Sequence, residues 1–497
     1  MSGVTSTIYL WLFIVPAAIW CILLLSFMPS RLIARCRQLL SLEENIATVA
    51  LLWLISGVML VRVIIGALAL WSQSDLSLVG VFYPIRIAAP NYGVIAGLPW
   101  FALLIGIAIR WPQIVASLAG ARQQWLALWL LATGVLVVFA GIQGGLVNGV
   151  SGVYTRQEFL DDLAHVDWSR DFFHEHLQRV AGELTPLYVA SHSTTHPPLA
   201  LQILSLAQQL GPFAMGLLTL VLFAGVFPLV AKVATVQRSV DGGIQTALLL
   251  LVTPALLIYG GSDDAFYYLL WGVALTLGQI AIAGNRLWIA MVCGGVIALA
   301  CQLTYASLVL LPAVMAFTAP GPLRNLPEYL CRHAAVLAVL VVSTAASLLL
   351  WQWFTGFNLL GGMAQVMQNQ QNYLLSTWLV VDPVRGISDR LMTILDFVIL
   401  AGPVMLLTWV QACKQGKRNP LQWTIAAAAF AVLTTYIALV TPGAGESARG
   451  WGGLYLCWWV GCGVRLTQSW SPAIAQRLVQ FALCYSAVLQ LVVDFGW

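Results

Sequence analysis

The chain has 497 residues, of which 60% are hydrophobic and only 8% charged, with a net charge of +4. A soluble domain carries about 25% charged residues, so this composition excludes an ordinary soluble enzyme and reads as a membrane protein with many spans. The small positive balance says nothing of nucleic acid; in such a chain the information lies in where the charges fall.

A span takes about 20 apolar residues. In chain order the apolar runs predict spans near 8–28, 47–70, 92–110, 125–147, 211–233, 242–260, 265–284, 287–301, 303–319, 333–355, 391–412, 421–441, 451–467 and 477–496. The expected fold is therefore all-α and polytopic, with about 14 transmembrane helices (12–14). The first run lacks a basic flank and a small-residue cleavage site, so it is expected to be a span and not a cleaved signal. The nine cysteines fall in spans or on the side richer in basic residues, without metal-ligand spacing. They predict neither a disulfide framework nor a cysteine-ligated zinc site.

With the N-terminus outside, 15 of the 23 Lys and Arg residues lie at cytoplasmic ends or loops, as the positive-inside rule asks. This orientation puts 148–210 outside, together with Asp263, Asp264, the segment 356–390, Glu446 and Arg449. Two parts are expected: N-terminal helices over 1–124, and a core over 125–497. The core includes a catalytic outer loop at 148–210 and a second outer loop at 356–390. The latter suits sugar contacts by its Asn, Gln, Tyr and Trp content, and suits a solvated loop equally well.

The segment 148–210 holds five of the six histidines and seven of the 19 acidic residues. "EFLDDLAHV" reads as an amphipathic helix, with Phe159, Leu160, Leu163 and Val166 on one face and Glu158, Asp161, Asp162 and His165 on the other. "DFFHEHLQRVAGEL" repeats the pattern with Phe173, Leu177, Val180 and Leu184. Both are expected to lie in the membrane interface. "SHSTTHPPLALQILSLAQQLG" predicts a helix over about 197–210, capped by Ser193 or Thr195 and stopped at Gly211. It is too short to cross a bilayer, and His196 sits at its N-terminus, where helix N–H groups favour anions. A plain solvated loop is the competing reading. His174 and His176, two apart, do not share a helix face, and His192 and His196 precede two prolines, so no protein-built metal site is expected. Asp263 and Asp264 head a later span, as a functional pair or as a helix cap. Glu446 and Arg449 stand at another outer end, where they suit a local ion pair or, for Arg449, a lipid phosphate. Arg62 and Asp396 lie inside predicted spans.

Together these motifs resemble the GT-C superfamily of membrane glycosyltransferases. The resemblance rests on Glu158-Phe159-Leu160-Asp161-Asp162, His196-Pro197-Pro198-Leu199, Asp263-Asp264 and the Gly445 to Arg449 stretch, in that order and on one side. It covers roughly 125–455 and is similar to the branch of protein O-mannosyltransferases and lipid A aminoarabinose transferases. The chain departs in having Leu199 where many members have Gly, in about three extra spans before the loop, and in lacking the soluble C-terminal domain of some members.

The resemblance implies a bacterial inner-membrane enzyme of the cell envelope. It would move a sugar from a polyprenyl-phosphate carrier to a lipid, glycan or protein acceptor on the non-cytoplasmic face, with inversion. Asp162 would be the general base, with Asp161 its rival and Glu158 in support. His196, His192, the helix N-terminus, Glu446 and Arg449 would hold the donor and its phosphate. Asp264 and Asp263 would bind sugar or acceptor, or a divalent cation if one is used; no other cofactor and no nucleic acid is expected. Two rivals are a transporter or lipid-linked-sugar flippase, and an O-antigen-ligase-like or polymerase-like transferase. The transferase reading requires Asp162, His196, Asp264 and Arg449 to converge on one outer cavity.

Overall fold

The computed structural model describes residues 85–87, 92–119, 123–156, 160–163, 166, 169–181, 183, 196–237, 240–262, 264–311, 314, 326–366, 400–402, 404–405, 455–456 and 472–495. These are helical almost throughout. In apolar surroundings a helix satisfies its own backbone N–H and C=O groups, which is why long apolar runs take this form. The order is β1 (Ile85–Ile87), α1 (Tyr92–Ile109), α2 (Trp111–Ala119), α3 (Gln124–Gly141), α4 (Leu146–Arg156), α5 (Leu160–Leu163), α6 (Arg170–Ala181), α7 (Pro198–Leu210), α8 (Pro212–Ala224) and α9 (Val226–Gln237). There follow α10 (Val240–Leu251), α11 (Pro254–Tyr259), α12 (Asp264–Ala283), α13 (Leu287–Cys301), a 3-10 turn (Tyr305–Val309), α14 (Leu326–Thr355), α15 (Pro472–Val492) and β2 (Val493–Phe495). The expected all-helical class holds for the described residues, apart from the three-residue strands β1 and β2, which pair antiparallel with Arg86 opposite Asp494 in register.

Among the described residues four helical stretches are long and apolar enough to cross a membrane: α3, α8–α9 over Pro212–Thr235, α12, and α14 over Pro327–Thr355. The pair α1–α2, bent by 64°, makes a fifth if counted as one span. The helices α1, α3, α8–α9, α12, α13, α14 and α15 fall on predicted runs. The runs 8–28, 47–70 and 421–441 lie outside the described residues, as do most of 391–412 and 451–467.

Three runs differ from expectation. The run 125–147 ends as a helix at Gly141, and the chain turns through Gly144 and Gly145, both at positive φ. The run 242–260 is two helices, broken at Thr253, whose extended backbone precedes Pro254; the proline has no N–H to give and its ring drives the preceding residue out of helical geometry. The run 303–319 opens as a 3-10 turn, and most of its second half lies outside the described residues.

α12 is the central helix, packed against α8, α9, α13 and α14. Two-thirds of its apolar window is buried, against 22% for α14, which sits at the periphery. α14 exposes Val342, Leu349 and Trp353, and α13 exposes Trp288 and Met291, as lipid-facing helices do. The α13–α14 seam is among the most extensive in the bundle. It depends on Gly294, where a Cβ would overlap the Ser343 hydroxyl and lie 2.8 Å from the Leu340 carbonyl. Small residues allow such close approach where lipid offers no hydrophobic drive to associate.

The two ends of the bundle differ in character. At one end Lys232, on α9, stands 6.0 Å over the Trp125 ring at the start of α3. On the helix alternation Arg110, Arg286 and Arg332 belong to this same end. There Gln480 of α15 donates from Nε2 to the Ala108 carbonyl at 2.8 Å, satisfying a group that the end of α1 leaves open. The segment from α4 to α7 occupies the opposite end.

Gly294→Ala is expected to destabilise the protein by about 1–3 kcal/mol through overpacking against α14. Gly295→Ala, whose new methyl meets only Ser347 at ordinary contact distance, is expected to be neutral or slightly stabilising. Thermal midpoints of the two purified variants in one detergent check this contrast.

Candidate active site

The site is built by short helices that cannot span. α7 runs from Pro198 to Leu210, in line with the expected 197–210, and Gly211, at φ +83, separates it from α8. Gly accepts that left-handed backbone without the steric cost of a side chain. α7 therefore lies on the end of the bundle with its N-terminus preceded by His196.

α4 is held against α8 by a close approach at Gly216, where a Cβ would overlap the Val150 carbonyl. Thr219 donates its hydroxyl to the Met215 carbonyl at 2.8 Å, so the Tyr154 phenol is the donor in its 2.7 Å bond to Thr219 Oγ1. This bond ties α4 to α8. Beyond α4 the chain makes the single turn α5, where a longer amphipathic helix was expected. The apolar side of that expectation holds in part, with Leu163 buried in a cluster with Tyr154, Phe172, Leu201, Leu204 and Met215.

The polar side needs correction: Asp162 is fully buried and not on a solvated face. The expectation assumed helical periodicity over more than two turns. One turn wedged between α4 and α7 turns neighbouring residues inward together.

α6 begins where Ser169 Oγ accepts from the Phe172 backbone N–H at 3.1 Å, a helix cap. Asp171 in its first turn and Arg179 in its last suit the helix dipole, and Arg179 pairs with Glu175 at 2.8 Å one turn back. Its inner face carries Phe172, Phe173, His176 and Val180, while His174 is exposed. The two histidines thus point to different sides, as their spacing required. α6 is fastened to the end of α14: Arg170 donates to the Trp353 carbonyl at 3.2 Å, and Phe173 meets Trp351 edge-on at 5.8 Å.

His176 is the main residue that sequence reasoning missed. It is fully buried, and its Nε2–H donates to the carbonyl of His196 at 3.0 Å. The ring lies edge-on to Phe357 at 5.6 Å. Burial lowers its pKa from the usual 6.5 to about 3; the His196 hydrogen bond opposes this and the Arg179 charge adds to it. The ring is therefore the neutral Nε2–H tautomer.

His196 and Tyr267 line one small pocket of about 10 Å³, with Ala200, Ile203 and Leu204 of α7, Phe266 of α12 and Leu303 beyond α13. Asp264, 1% exposed, opens α12, and its Oδ1 accepts from the Tyr267 hydroxyl at 2.6 Å. The carboxylate thus acts on the pocket through the tyrosine, at a helix N-terminus that favours negative charge. Deeper on the same face, Trp271 Nε1–H donates to Ser307 Oγ at 2.8 Å.

Of the predicted site residues, His196 lines the pocket, and Asp264 stands behind it, bonded to the lining Tyr267. Asp162 lies on the turn packed against the pocket-lining helix α7. Asp161 shares that turn. Glu158, His192, Asp263, Glu446 and Arg449 lie outside the described residues, as does most of 356–390. Among the described residues no group of three or more His, Cys, Asp or Glu is arranged to hold a metal ion. Tyr267 was legible as the residue one helical turn after Asp264; His176 was legible only as a polar interruption of an apolar face. Compared with known proteins, the chain matches no family model, no curated protein and no solved structure.

The unfolded chain takes up a proton on His176 near pH 6.5 and the folded chain only near 3. The stability this neutral ring contributes is therefore complete above pH 6.5 and is lost as pH falls toward 3, at up to about 1.4 kcal/mol per pH unit. Thermal midpoints between pH 7.5 and 5 should fall for the wild type and fall less steeply for His176→Gln, which keeps an N–H donor that does not titrate.

Proposed function

We propose that the chain is a membrane glycosyltransferase of the GT-C kind, moving a sugar from a polyprenyl-phosphate carrier to an acceptor at the non-cytoplasmic face of a bacterial inner membrane. The observation that carries this reading is the meeting of His196 and Asp264–Tyr267 at one pocket, though 68 residues separate His196 from Asp264. The pocket opens at the end of the bundle opposite Lys232 and Trp125. A buried Asp162 stands on the turn packed against α7.

In this proposal the fold has about 14 spans, 12–14 in all. Asp162 accepts the acceptor's proton as it attacks the anomeric carbon, with Asp161 as alternative base and Glu158 orienting. His196, at the N-terminus of α7, faces the departing lipid phosphate, joined by His192, Glu446 and Arg449. Asp264, through Tyr267, and Asp263 bind sugar or acceptor, or a divalent cation.

A second reading, a transporter or flippase of lipid-linked sugars, draws on the break at Thr253 and Pro254. This interrupts a helix inside the bundle, as transporter helices are interrupted near their sites. Transfer of label separates the two readings.

In lipid nanodiscs with radiolabelled polyprenyl-phosphate sugars and a mixed envelope acceptor fraction, label should leave the carrier. Asp162→Asn should slow this about 10²–10⁴-fold while leaving donor binding near the wild-type value. Full activity in both Asp162→Asn and Asp161→Asn would remove the base assignment. Donor binding with translocation and no transfer would favour the transporter.

A further inference from the structure

The "HEH" of α6 has no part in the chemistry proposed above, yet one of its two histidines is fully buried. His176 reaches across to the His196 backbone and donates to its carbonyl at 3.0 Å. His196 is the pocket's polar residue on the α7 side, and it precedes Pro197 and Pro198, both buried. A turn that enters two prolines has few backbone donors of its own to hold it. Behind His176, Phe172 and Phe357 pack on its ring at 6.4 and 5.6 Å, and Arg170 and Phe173 fasten the same helix to α14. A direct structural path therefore runs from the end of α14, through α6, to the mouth of the pocket.

We infer that His176 is a positioning residue: its hydrogen bond to the His196 carbonyl sets the turn that aims the His196 ring at the pocket. α6 then relays the position of the end of α14 to that turn. The surroundings leave this bond to a neutral donor. α7 and the stretch 356–362 carry no charged residue, and α14 carries Glu328, Arg332 and His333 in its first two turns and none after them. Arg179, on the same helix, is the charge acting on the ring.

The kinetic part of the test rests on the transferase reading; the spectroscopic part does not. Histidine-labelled protein in nanodiscs is compared as wild type, His176→Phe and His176→Gln, with the His196 ring resonances assigned through His196→Gln. Phe keeps the shape and removes the donor; Gln restores an N–H at similar reach. The expected result is a displaced His196 signal in His176→Phe that returns toward the wild-type position in His176→Gln, with thermal midpoints confirming that both variants are folded. If His176→Phe leaves the His196 signal in place, or Gln displaces it as far as Phe does, the inference is overturned.

In the transfer assay, His176→Phe should raise the donor KM about tenfold with a smaller change in kcat, and His176→Gln should recover most of it. A wild type that transfers no sugar defeats the transferase reading, and the resonance comparison then decides the inference alone. Should the Phe variant fail to fold, His176→Asn, which keeps the amide but shortens its reach, takes its place and is expected to displace the His196 signal.

Discussion

Helix ends are the places where this bundle must find partners for its backbone. Within an apolar helix every central N–H and C=O is paired internally, but the last turns leave carbonyls over, and a membrane supplies nothing to bond them. Long-range side-chain bonds meet this need at the ends of α1 and α14, and another holds the turn that precedes α7. Gln480 reaches the Ala108 carbonyl at the end of α1, Arg170 reaches the Trp353 carbonyl at the end of α14, and His176 reaches the carbonyl of His196. The last two belong to one short helix, α6. The segment between α4 and α7 is thus less a loop than a clamp across helix ends.

The clamp shapes the pocket because its pieces are short. α7 is bounded by two prolines and a glycine at φ +83, so it cannot extend into a span and instead lays its apolar side on α8. α5 is a single turn, small enough to tuck beneath α7 with Leu163 and Asp162 both inward. Glycine at Gly216 lets α4 approach α8 at backbone distance, and the Tyr154–Thr219 bond holds that approach in register. What remains open between α7, α12 and the residue beyond α13 is the space lined by His196 and Tyr267.

The two ends of the molecule have opposite chemistry. Lys232 marks one end, where its ammonium lies against an aromatic ring, an arrangement that suits a polar and apolar boundary. The other end gathers carboxyl, imidazole and phenol groups, buried or half-buried, each requiring a partner to be tolerated there. Asp264 has the Tyr267 hydroxyl and a helix N-terminus. His176 has a carbonyl and stays neutral. Such groups placed together at the end of an apolar bundle are what a reaction on a lipid-linked substrate would use, and they give the proposed transferase its physical basis.

The sequence by itself determined the helical membrane class, the position of most described apolar helices and the short helix at 197–210. It also determined that His174 and His176 would face different ways. These follow from local rules: the length and polarity of a run, the backbone demands of proline and glycine, and the angle between helix positions. The break at Thr253 was also present locally, in the proline that follows, but a hydrophobic count does not register it.

Only the tertiary structure decided that Asp162 is buried, because its face depends on what packs around a single turn. It alone decided that Asp264 works through Tyr267, and that His176 holds His196, since a bond between residues 20 apart across a double proline leaves no periodic trace. That His196 and Tyr267, the partner of Asp264, line one pocket is likewise a property of helix packing, set by close contacts such as Gly216 with Val150 that no single stretch of sequence contains.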